Sequence, residues 1–91
     1  MFKVYSVYDR KLQEFGQLAV SKNDESMRRA VLDNVSGSNT VMEKHGVDFD
    51  LMCVGEFDQT IGSLCGLRGP PRLVCNVGEL LGASPKVVAN A

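Results

Sequence analysis

"HGVDFDLMCVGEFD", residues 45–58, is the stretch on which the reading of this chain turns. From Val47 to Asp58 it sets Phe49, Leu51, Cys53 and Phe57 against Asp50, Met52, Val54, Glu56 and Asp58. That period of two belongs to a strand with one buried face. The same stretch also carries four carboxylates, Asp48, Asp50, Glu56 and Asp58, which period two places on one face, and they raise the alternative of an acidic catalytic or metal site. A cation needs several oxygens converging within ~2.5 Å of one point. Asp50 and Glu56 are six apart on an extended chain and so stand roughly 20 Å from each other. Only a large bulge at Gly55 would join them. The carboxylates are expected to be solvated strand ends, with Asp58 starting a turn.

Working outward, "DQTIG" supplies turn chemistry and "SLCGL" returns as the hairpin partner, with Gly62 in the left-handed position. "RGPPR" reads as loop or edge because two prolines remove two ladder donors. "LVCN" follows as one more short strand. "NVGELLG", with an Asn cap and Glu three residues on, reads as a single helical turn. Upstream, Thr40 with Glu43 has the form of a capping box, closed by His45 as C-terminal cap and Gly46 as the stop. "SKNDESMRRAVLDNVSGS" is the main helix. Its cap oxygens come from Ser21, Asn23 and Asp24, its narrow packing stripe is Met27, Ala30, Val31, Asn34 and Val35, and Gly37 ends it.

"FKVYSVYD" (2–9) is a strand apolar on both faces, with Phe2, Val4, Ser6 and Tyr8 on one and Lys3, Tyr5, Val7 and Asp9 on the other. That suits a central position. "RKLQEF" is a polar connection closed by Gly16, and "QLAVS" (17–21) is a second strand. The expected fold is α+β, a small β-β-α-β-β domain with one main helix packed on a mostly antiparallel sheet. It occupies residues 1–82, with 83–91 as a flexible tail. So small a core would gain from a second subunit on the other face, so a homodimer is expected.

At 91 residues and 44% hydrophobic content the chain has room for a single core. Ten Lys/Arg against eleven Asp/Glu leave it nearly neutral, without the basic excess of most dedicated nucleic-acid binders. Cys53, Cys65 and Cys75 are odd in number and match neither zinc-ribbon nor redox spacing, so they are expected to be reduced and structural. His45 is the sole histidine, and no phosphate-binding glycine motif is present. No metal, cofactor or catalytic set is expected. Neither a signal peptide nor a membrane span is legible, which points to a soluble cytoplasmic protein. What stands out chemically is basic and aromatic: Lys3, Tyr5, Tyr8, Arg10 and Lys11 around the first strand, with Arg28 and Arg29 on the helix as further phosphate candidates. Exposed tyrosines beside Lys and Arg are the groups that stack bases and neutralise phosphates in single-strand binders. Arg68 and Arg72, around the diproline, are weaker candidates of the same kind.

"YSVYDRKLQEF" (5–15), "DESMRRAVLDNV" (24–35) and "KHGVDFDLMCVGEFDQTIGSL" (44–64), in that order, resemble the small nonstructural protein of gokushoviruses, the single-stranded DNA phages of the Microviridae. The similarity runs over about residues 3–64. The chain departs from the pattern at Gly46, where a proline is expected, and after Gly16, where another is missing. The resemblance implies a non-enzymatic phage protein of the host cytoplasm that binds single-stranded DNA during replication and packaging. The alternative is a protein-interaction module that contacts the replication-initiation protein, the procapsid or a host factor without touching DNA.

Overall fold

Two long antiparallel strands form the spine of the molecule: β1 (Phe2–Asp9) and β4 (Phe49–Asp58) pair along their whole length. A computed structural model describes residues 1–83. From Ser84 onward the expected tail lies outside the described residues. On the outer side of β1, β2 (Glu14–Phe15) pairs with Tyr8 and Asp9, and β3 (Ala19–Ser21) pairs with Lys3 to Tyr5. On the outer side of β4, β5 (Ser63–Gly66) takes residues 55–58 and β6 (Arg72–Asn76) takes 50–53. Six antiparallel strands therefore make a sheet only four strands wide. The α+β class stands. The extra strand is β2, inside the segment expected to be a plain polar connection. There Asp9 Oδ1 accepts from the N–H groups of Lys11 and Leu12, and Gln13 turns at φ 58°. Two residues are too short to show alternation.

One bulge rewrites the strand that opened the sequence analysis. Val4 pairs with Gly55 but Tyr5 pairs with Cys53, so Val54 is an extra residue on β4. A bulge shifts the alternation beyond it. Phe57, expected beside Leu51 and Cys53, instead lies opposite Phe2 on the other face, and Glu56 lies opposite Lys3. The four carboxylates thus do not share a face. Asp50 accepts from Asn76 and pairs with Arg10, while Asp58 accepts from the Thr60 N–H to start the turn that Gly62 closes at φ 71°.

All the helices pack on one side. α1 (Asp24–Val35) is capped by Asn23, whose side chain accepts from the Ser26 N–H, and Gly37 leaves it at φ 77°. Its stripe of Met27, Val31 and Val35 closes over Tyr5, Leu51, Cys53 and Phe49. Full burial of such side chains contributes about 1.5–3 kcal/mol each. α2 (Val41–Lys44) does not form the expected capping box: Thr40 makes no cap bond, and the Glu43 carboxylate turns back to accept from the N–H groups of Gly37 and Asn39. His45 is its C-cap, as expected. Gly46 is no simple stop. It is buried at the start of a 3-10 turn (Gly46–Asp48) packed on α3 (Val77–Ala83). A Cβ at Gly46 would lie 2.9 Å from the Gly78 Cα, and one at Gly78 would lie 2.7 Å from the Val47 nitrogen. The two backbones touch, and only glycine on both sides allows it. Asn76 caps α3 by accepting from the Glu79 N–H, and it donates to the carbonyls of Val47 and Phe49. With seven residues, α3 exceeds the single turn expected.

Candidate functional site

The seven residues expected to bind nucleic acid do not gather on one surface. Tyr5, expected to be an exposed stacking ring, is fully buried. It lies on the helix-covered face, its hydroxyl donates to Asp24 Oδ1 at 2.7 Å, and burial foremost, with that bond, pushes its pKa far above the ordinary value. Lys3 sits at the start of β1, opposite Glu56 in the ladder. Arg10 lies beyond the other end, roughly 23 Å away along an extended chain. Its guanidinium is already engaged, pairing with Asp50 at 3.2 Å and donating to the Val47 carbonyl. Arg28 pairs with Glu25 at 3.5 Å, and Arg29 is exposed beside it on α1. Only Tyr8, Arg10 and Lys11 remain together, at the β1–β2 corner, where the Tyr8 ring packs on Phe15 with centroids 4.7 Å apart.

Two arrangements were not anticipated. The first is a latch built on Asp24, at the first turn of α1. Arg72 donates to both of its carboxylate oxygens, at 2.8 and 3.1 Å, while Tyr5 donates to one of them. The Arg72 bond is the main cause that brings the Asp24 pKa down to about 2, with Tyr5 adding to it against the opposing effect of burial. Arg72, expected to be a phosphate candidate, is thus an internal tie between β6 and the helix. Nothing in the local sequence joins residues 48 positions apart.

The second is a groove. α1 covers the middle of the sheet, which leaves the end near Val7, Ala19 and Phe49 open between the loop 10–18 and α2. An open recess of about 440 Å³ there is lined by Val7, Leu12, Phe15, Leu18, Met42 and Phe49. It continues into a second of about 600 Å³ past Leu12 and Val41. Asp9, Glu14 and Asp48 stand around the two, against Lys11 and His45. Leu12 and Val41 are about two-thirds exposed, at 68% and 63%, which is unusual for aliphatic side chains standing together. Leu12 stands between Lys11 and Gln13, and Val41 lies on a helix of only four residues, so neither belongs to a periodic pattern that sequence reading could pick out.

All three cysteines are unpaired. Cys53 is buried, Cys65 is exposed, and Cys75 is half-buried with its pKa raised chiefly by burial. Among the described residues no three His, Cys, Asp or Glu side chains stand close enough to hold a metal ion, and no helix is long and apolar enough to cross a membrane.

What the fold defines is a small two-layer α+β protein with an apolar groove, a second sheet face that no helix covers and no gathered chemical centre among the described residues. Comparison with known proteins places it more closely: the chain belongs to the phage ORF5 protein family, whose model matches residues 2–80. It is similar to protein ORF5 of Chlamydia phage 1, with 30% identity over 81 residues, covering 82% of each chain. No solved structure matches it. The gokushovirus resemblance read from residues 3–64 therefore holds and extends through β6 into α3.

Proposed function

We propose that this phage protein is non-enzymatic and works in the host cytoplasm by holding another protein during infection, with the groove between the loop 10–18 and α2 as its seat. The observation that supports this is the recess itself, apolar inside and ringed by three carboxylates against Lys11 and His45. Such a site fits an amphipathic segment whose apolar side chains enter while basic residues meet Asp9, Glu14 and Asp48. The partner class is a phage replication or capsid protein or a host factor. The unpaired cysteines suit a reducing compartment. Tagged protein recovered from infected cells after nuclease treatment is expected to retain a protein partner. Leu12→Lys with Val41→Lys, both at exposed positions, is expected to release it. Equal recovery with the variant, or loss of the partner to nuclease, would count against the groove.

A second reading, direct contact with single-stranded DNA, draws on the Tyr8–Phe15 ring pair beside Arg10 and Lys11. The near-neutral charge and the engaged Arg10 weigh against it. If it holds, oligonucleotide affinity falls with added salt and weakens in Arg10→Ala with Lys11→Ala. Salt-independent binding, or none, rejects it.

A further inference from the structure

We propose that the sheet face opposite the helices is the interface of a homodimer, packed face to face with a second copy of this chain. Ladder register and alternation put Phe2, Val4, Ser6 and Tyr8 of β1 on that face, with Val20 of β3, Met52, Val54 and Phe57 of β4, Leu64 of β5 and Leu73 of β6. Val20, Leu64 and Leu73 are 49%, 59% and 57% exposed, and every helix packs on the other side.

Three observations point to a second copy as the occupant. First, the face is dry in character. Its central polar side chain, Ser6, is buried and donates to the Gly16 carbonyl at 3.0 Å, so it asks nothing of water or of a polar partner. The carboxylate beside it, Asp50, is already neutralised by Arg10. A surface of mainly apolar side chains, with the Tyr8 hydroxyl at one end, matches another such surface, which is how two sheets form a sandwich with a shared core about 10 Å thick. Second, a net charge of −1 puts little repulsion between two copies. Third, the area is right. Two strands of eight and ten residues, flanked by strands of two to five residues at about 4.8 Å spacing, give a face of at most roughly 500 Å², or about 1,000 Å² over two copies. That sits at the lower edge of specific interfaces and implies a dimer that dissociates on dilution rather than an obligate one.

Sedimentation equilibrium of the full chain over a wide concentration range is the test. The wild type is expected to show a reversible monomer–dimer equilibrium. Val20→Lys with Leu73→Lys should weaken it roughly hundredfold by placing like charges across the interface, with an unchanged circular dichroism spectrum. Val41→Lys, in the groove on the other side, should leave it intact, so failure of the groove and failure of the dimer are separately visible. Peroxide oxidation of the wild type supplies a readout that needs no variant: Met52 on this face should be protected as concentration rises, and Met42 in the groove should not. A wild type that stays monomeric throughout, a dimer that survives the face variant, or equal oxidation of the two methionines at all concentrations overturns the proposal.

Discussion

The two faces of this sheet are made by the same strands yet are finished in opposite ways. On one, Tyr5, Leu51 and Cys53 vanish beneath α1 and α3, and even the polar groups are tied internally, as Asp24 is to Tyr5 and Arg72. On the other, Val4 and Ser6 are buried, the Ser6 hydroxyl held by the Gly16 carbonyl, while Val20, Leu64 and Leu73 of the short flanking strands stand half-open and no helix covers them. A sheet needs both faces covered or one made polar. β1 and β4 carry apolar side chains on both faces, and only one of the two is roofed by helices.

The sharpest way to break that comparison is to cut one aliphatic side chain from each face. Leu51→Ala, on the covered face, is expected to cost about 2–5 kcal/mol. Leu73→Ala, measured by urea unfolding at high dilution, should stay within about 0.5 kcal/mol of wild type. Equal costs would mean that the open face is covered within the monomer. Gly78→Ala comes next, at about 1–3 kcal/mol, because the added methyl drives α3 off the Gly46–Val47 backbone that roofs the covered face. A circular dichroism melt checks it, and Gly82→Ala, where the added carbon meets nothing, serves as the control.

The smallest effect is the pH dependence of the Asp24 latch, at about 1–2 kcal/mol once its partial exposure is allowed for. The folded-state pKa lies below the ordinary 3.8, at about 2. Its contribution is therefore full above about pH 4 and is lost as the pH falls toward 2. Asp24→Asn should flatten that limb of the acid unfolding curve. Tyr5 works in the opposite sense: its raised pKa contributes below about pH 10, and the contribution is lost as the pH climbs beyond it. Tyr5→Phe should flatten the alkaline limb above about pH 10, to which the half-buried Cys75 thiol also contributes. An unchanged curve in either variant would mean that the covered face holds without its polar ties.

Much of the fold was legible because alternation and caps are local signals. The two faces of β1, the Asn23 cap of α1, the Gly62 turn and the Asn76 cap of α3 could all be read from the sequence. The same alternation held the correction to the nucleic-acid site: Tyr5 and Tyr8 are three apart on one strand, so they point to opposite faces and cannot stack bases together. What stayed hidden depends on residues far apart in the chain. The Val54 bulge is set by pairing with Val4 and Tyr5, the Gly46–Gly78 contact joins two helical turns, and Arg72 reaches back to Asp24. The groove was invisible for the same reason, since Leu12, Met42 and Phe49 meet only when the loop 10–18 and α2 flank the same end of the sheet.

The pairing of β1 with β4 has a consequence for how the chain is made. Phe2 finds Phe57, so β1 begins more than fifty residues before its long neighbour is complete. Until then it has only the short strands β2 and β3 beside it, and its inner edge is open to other nascent chains. Late closure of so distant a ladder makes folding slow for a molecule of this size. The risk of mispairing falls on the segment FKVYSVYD, because its long partner strand is made so much later.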